Sequence, residues 1–195
     1  HLHGDNSRAY DMLADMIEAH CECLSLRDHG DQDKEYDVQL IAVPVLAWSR
    51  FNIPSGTIPA PLLRLKEGRN VRLTVDNRLA EDTSIHWHGF IVPFQMDGVP
   101  GISFPGIPAH SSFTYEFPVI QSGTYWYHSH SGLQEQQGHY GPLILDPAEP
   151  DPVGYDREHV LVLSDWSFLH PHQIMLKLKQ EAGYFNRNRM TLAGR

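Results

Sequence analysis

The chain has 195 residues, enough for one complete domain with further material at either end. Hydrophobic residues make up 41% and charged residues 20%, which excludes a disordered chain, and no stretch approaches the ~20 continuous apolar residues of a membrane-spanning helix. A formal net charge of -9, without clusters of Lys and Arg, excludes a nucleic-acid surface.

The opening HLHGDNSRAY has neither the basic nor the apolar region of a signal peptide, so an export signal has been removed or never existed. From Asn6 to Leu26 the residues Leu13, Met16, Ile17 and Leu24 recur at helical spacing behind the candidate caps Asp5, Asn6 and Ser7. This predicts an amphipathic helix and makes residues 1–35 a helical extension of unknown role. Cys21 and Cys23 are too close for an easy mutual disulfide and read as half-buried thiols on that helix. The alternative, a soft-metal site with His20, lacks a third and fourth ligand nearby. RDHGDQDKE, residues 27–35, reads as a polar linker.

From Tyr36 onward short alternating runs separated by turn residues predict an antiparallel sandwich or barrel. EYDVQLIAV opens it. In NVRLTVDN, after the turn KEGR, Val71, Leu73 and Val75 alternate with polar residues. In SSFTYEFPV the inward set is Phe113, Tyr115, Phe117 and Val119, and Pro118 marks a sheet edge or strand end. YGPLILDP reads as a further strand. The proline-rich DPAEPDPVG, residues 146–154, reads as a stiff linker, so residues 36–148 form one domain and 149–195 a linker with the beginning of a second. In that tail EHVLVLSDW predicts a buried strand and HPHQIMLKLKQEAGY a helix.

Two segments carry paired histidines: SIHWHGFIVPFQMDGVPG, with His86 and His88, and GTYWYHSHSG, with His128 and His130. In a strand, residues two apart face the same side, about 6.5 Å apart. Each pair therefore projects together and can converge on one ion or reach two neighbouring ions; spacing does not choose between these. Imidazole nitrogen suits Zn, Cu, Fe and Ni, and histidines without acidic ligands suit Mg and Ca poorly, so a transition metal is expected. Outside these segments His29, His110, His159, His170 and His172, weighed singly, read as surface or hydrogen-bonded residues. Trp87, Tyr125, Trp126 and Tyr127 read as packing residues, and Gly89 and Gly132 as points where the chain turns.

HWHGFIVPFQMDGVPG and GTYWYHSHSG resemble the first two copper motifs of the multicopper oxidases, His-x-His-Gly and His-x-His. The similarity extends through APLLRLKEGRNVRLTVDNRL, with Ala60-Pro61 where the family has Gly-Pro, and through QEQQGHYGPLILDPAEPDPVGYDREHVLVLSDW. It covers approximately Tyr36 to Trp166 and is nearest to the periplasmic copper-resistance oxidases. The resemblance implies an all-β, Greek-key cupredoxin-like β-sandwich, the amino-terminal one of three, supplying half of a trinuclear copper cluster. It implies that His86 binds the type 2 copper, that His88 binds one type 3 copper, and that His128 and His130 bind the two type 3 ions, one each. Asp97 falls where the family has an acid that assists proton delivery, although Asp-Gly is also an ordinary turn sequence. The implied reaction is one-electron oxidation of a phenolic or metal-ion donor coupled to reduction of dioxygen to water, in a periplasmic or secreted protein.

The family also needs a His-Pro-x-His-x-His motif and a His-Cys-His segment, and neither follows His130. The implied partner is therefore the missing carboxy-terminal cupredoxin domain or domains, without which this segment should not turn over substrate. HLHG and HCEC near the start are similar to those motifs, but they fall in the predicted helical extension, residues 1–35, where the family has cupredoxin strands, and no His-Pro precedes His3. Two rivals stand beside this reading: a stand-alone copper-sequestering cupredoxin module without turnover, and a mononuclear zinc hydrolase, against which the absence of HExxH counts.

Overall fold

Alternation decides which side chains enter the interior. The computed structural model describes residues 27–28, 35–44, 52–54, 58–165, 167 and 169–186. Its strands are β1 (Arg27–Asp28), β2 (Glu35–Pro44), β3 (Asn52–Pro54), β4 (Leu63–Lys66), β5 (Asn70–Asn77), β6 (His86–His88), β7 (Ser112–Pro118), β8 (Gly123–His128) and β9 (Tyr140–Asp146), followed by helix α1 (Pro171–Gln180). The expected amino-terminal helix, with Cys21 and Cys23, lies outside the described residues. No helix among the described residues is long and apolar enough to cross a membrane.

One sheet runs in the order β1-β2-β5-β7, with β3 also paired to β2, and the other in the order β4-β9-β8-β6. The expected inward residues Val71, Leu73 and Val75 of β5 are buried, as are Tyr115 and Phe117 of β7. They meet Leu63 and Leu65 of β4, Trp87 of β6, Tyr127 of β8, and Leu143 and Leu145 of β9 in one cluster. Trp87 stands edge-on to Tyr115 and Phe117 with ring centroids 5.3 and 5.4 Å apart, so the two sheets pack face to face. Each fully buried side chain of this size contributes about 1.5–3 kcal/mol. The core hydroxyls are satisfied: Tyr127 donates to the Pro61 carbonyl at 2.7 Å, and Tyr115 accepts from the Ile85 amide at 3.1 Å.

Three expectations need correction. The sheets are mixed: β2 pairs parallel with β5, and β4 parallel with β9. After β4 the chain turns at Glu67–Gly68 and enters the other sheet as β5, so neighbours in sequence are not neighbours in a sheet, and parallel pairing becomes possible. Second, the stretch read as a linker begins with Arg27 and Asp28 paired to Asp37 and Tyr36 of β2. Third, EHVLVLSDW forms no strand over its described residues, and Leu161 and Leu163 are 84% and 95% exposed. Alternation makes a strand only where another strand offers hydrogen bonds, and none does so here among the described residues. Pro118 does end β7, which is an edge strand.

The chain divides into two compact units, His1–Leu163 and Ser164–Arg195. In the first, Arg64 on β4 makes a two-pronged pair with Asp146, at 2.8 and 2.7 Å, and also pairs with Glu158, tying the proline-rich segment to the sheet. In the second, α1 has Pro171 in its first turn, and the His170 ring accepts the His172 amide as a cap.

His139, immediately before β9, is wholly buried, and neither ring nitrogen has a hydrogen-bond partner among the described residues. Burial holds its pKa down to about 3, against an ordinary 6.5. The unfolded chain takes up this proton first, so the stability is complete above pH 6.5 and is lost as the pH falls from 6.5 towards 3. The slope it contributes reaches about 1.4 kcal/mol per pH unit. His139→Leu should flatten that limb in urea unfolding measured at a series of pH values; parallel curves for both proteins would rule His139 out as its cause.

Candidate metal centre

β6 lies at the open edge of its sheet, antiparallel to β8, with His86 opposite His128, Trp87 opposite Tyr127 and His88 opposite Trp126. Side chains alternate, so Trp87 and Tyr127 enter the core while His86, His88, Trp126 and His128 share the other face. β8 ends at His128, so His130 does not follow the strand geometry expected of it. Beyond His128 the hydroxyl of Ser84 replaces a backbone partner: it accepts the His130 amide at 2.9 Å, and the chain turns away. The turn still brings the His130 ring to 5.5 Å from His86, centroid to centroid.

The other ring centroids stand 5.7 Å (His86–His88), 5.4 Å (His86–His128), 5.4 Å (His88–His128) and 6.1 Å (His128–His130) apart. His86, His88 and His128 each offer one nitrogen, and these three atoms lie within 4.8 Å of one another. Nδ1 of His88 is 3.1 Å from Nε2 of His128. Metal–imidazole bonds of ~2.0–2.1 Å let two nitrogens at that separation share one ion. Partial burial and then the neighbouring imidazoles lower the pKa of His88, which favours the neutral, ligating form.

Trp126 does more than the packing expected of it. Its ring stacks on His128 at 4.3 Å and lies 4.9 Å from His88. Trp87 and Tyr127 are the packing residues. Asp97 follows the short turn Phe94–Met96, and its carbonyl lies 2.7 Å from Nδ1 of His86, closer than its carboxylate at 3.5 Å. A carbonyl only accepts, so His86 carries its proton on Nδ1 and keeps Nε2 for an ion.

Two residues that the sequence reading did not single out support the second pair. Buried Gln134 accepts at Oε1 from Thr83 and Ser129, both at 2.7 Å, and donates from Nε2 to the Asp82 carbonyl at 2.8 Å, clamping the segment after β8. Glu135 brings a carboxylate oxygen to 3.0 Å from Nδ1 of His128, and this hydrogen bond holds its carboxyl below the ordinary range. Both belong to QEQQ; their only sequence signal was polar side chains close behind a His-x-His pair.

Gly98 lets the Asp97 loop reach His86. Its φ is +78°, and an added Cβ would lie 1.7 Å from the Ile85 carbonyl oxygen. Gly101 has a similar φ of +76° with open space around it. Gly98→Ala should therefore cost about 1–3 kcal/mol more than Gly101→Ala in denaturant unfolding. Equal losses would show that backbone conformation, and not crowding against Ile85, governs the position.

A family model described as multicopper oxidase matches residues 49–150, more than half of the chain. Copper resistance protein A of Escherichia coli is 56% identical over 138 residues, covering 71% of this chain and 23% of that protein. L-ascorbate oxidase of Cucumis sativus is 41% identical over 135 residues, covering 66% of this chain and 22% of that protein. Among solved structures, a multi-copper oxidase from Pseudomonas thermotolerans matches with a TM-score of 0.55 and 35% identity, over 60% of this chain and 31% of that one. The chain spans roughly a quarter of the length of these curated relatives. On the matched family model and these identities, the chain belongs to the multicopper oxidase family.

Proposed function

We propose that the chain is the amino-terminal part of a laccase-like oxidase of the copper-resistance type, periplasmic or secreted, and that its histidine face supplies half of a trinuclear copper cluster. Copper is the family's metal, and the three grouped donors are all imidazoles, a set that suits it. The 3.1 Å approach of His88 to His128 carries this reading, because it brings one nitrogen from each motif close enough to share a single ion. In this assignment His88 through Nδ1 and His128 through Nε2 would hold one type 3 copper, His130 would hold the other, and His86 would hold the type 2 copper. Copper held there would supply one-electron chemistry, taking electrons from a phenolic or metal-ion donor so that four electrons and four protons turn dioxygen into two waters.

The protein's own residues orient and protonate. The Asp97 carbonyl fixes the His86 ring, and its part-exposed carboxylate, 3.5 Å from that ring, holds and delivers protons beside the site. Trp126 and Gln134 keep the second motif in place. The remaining ligands and the type 1 site belong to further cupredoxin domains, with residues 36–148 forming the first domain and 149–195 leading into the second. A copper-sequestering module without turnover remains the second reading, favoured by one observation: three donors already converge within this chain alone.

Copper analysis of the protein and of His86→Ala and His128→Ala tests the assignment. Each variant should lower copper affinity at this face by more than about 100-fold, beyond the loss from an outer partner. Undiminished copper in both would sink the metal reading, whereas copper binding with no oxygen consumption by the full-length protein would select the sequestering module.

A further inference from the structure

We propose, resting on the reading of His88 and His128 as ligands of one ion, that Glu135 is a positioning residue: it sets the direction of a hydrogen-bond chain from Glu135 through His128 to His88 and so keeps the ligating nitrogen of His128 free of its proton. Nδ1 of His128 lies 3.0 Å from a Glu135 carboxylate oxygen and 2.9 Å from the Ser129 carbonyl oxygen. Both oxygens are acceptors only, so Nδ1 carries the hydrogen. A neutral imidazole has one N–H, which leaves Nε2 of His128 as a bare lone pair. His88 Nδ1, 3.1 Å away, then donates to it in the metal-free protein.

The opposite tautomer would aim the Nδ1 lone pair of His128 at two oxygens and its N–H at His88. The carboxylate penalises that arrangement more than a carbonyl does, because hydrogen bonds to a charged acceptor are roughly twice as strong as neutral ones. An ion arriving between the two rings thus meets a ready nitrogen on His128. Only His88 must rearrange, moving its proton from Nδ1 to Nε2, and His88 is exposed to water that can carry the exchange. Stacking of Trp126 at 4.3 Å keeps the His128 ring plane fixed while this happens. Glu135 itself is held by the short turn Glu135–Gln137, which buried Gln134 anchors.

Long-range 1H–15N correlation spectra of the 195-residue chain read each ring's tautomer without metal, and titration with Cu(I), which is diamagnetic, reads binding at His128 itself. The expected result is His128 protonated on Nδ1 with and without Cu(I), while His88 changes from Nδ1–H to Nε2–H on binding. Glu135→Ala should give a mixture of His128 tautomers and weaken Cu(I) binding at His128 by about 10- to 100-fold. Glu135→Gln, which keeps an acceptor, should retain the tautomer with a smaller loss. A His128 that stays wholly Nδ1–H with unchanged Cu(I) binding in Glu135→Ala overturns the proposal, the Ser129 carbonyl then being sufficient. If Cu(I) leaves His128 untouched in the unaltered protein, the ligand reading fails instead, and the metal-free tautomers still decide the role of Glu135.

Discussion

The antiparallel register of β6 on β8 governs this structure. With Trp87 facing Tyr127 across the pair, both aromatics enter the core, and the next residue on either side is turned outward as histidine or tryptophan. A slip of β6 by one residue would turn its faces over, burying His86 and His88 and exposing Trp87. Trp87 packs against Tyr115, Phe117 and Tyr127, and aromatic pairs of this kind add about 0.5–1.5 kcal/mol each to the burial itself. The apolar interior thereby holds the register that the histidines need, although no histidine of this face belongs to the hydrophobic cluster.

Sheet geometry brings rings together but leaves their protons undetermined. Acceptor-only groups from loops complete the arrangement: the Asp97 carbonyl at His86, and the Ser129 carbonyl with the Glu135 carboxylate at His128. Each satisfies Nδ1 and leaves Nε2 available. His88 differs, because its Nδ1 faces another imidazole, and it is the ring through which the two motifs touch. The loops are in turn held by tight features, Gly98 against Ile85 on one side and Gln134 beneath Ser129 on the other. Loss of either support would leave the histidines present but without a fixed orientation.

The histidine face is reached from β6, an edge strand with no neighbour beyond it among the described residues: His88 is exposed, whereas His128 on the inner strand β8 is buried. A set of imidazoles reachable at one sheet edge suits the proposed half-cluster.

Much of this was legible in the residues themselves. Period-two alternation in NVRLTVDN and SSFTYEFPV marked β5 and β7 and their inward side chains, since a pleated strand leaves no other choice. The two His-x-His segments marked the candidate site, and for His86 and His88 the strand rule placed both on one face. EHVLVLSDW misled because alternation measures only a strand's readiness to pair, and the partner is a fact about distant residues. The same limit hid the parallel pairings of β2 with β5 and β4 with β9. Local sequence thus determined the fold class, the core faces of β5 and β7, and the choice of four histidines as candidate ligands. Tertiary structure alone decided which histidine of one motif meets which of the other, that Trp126 stacks on imidazoles, and that Gln134 and Glu135 stand behind them. Those are contacts across gaps of up to some fifty residues, and only chain folding closes such gaps.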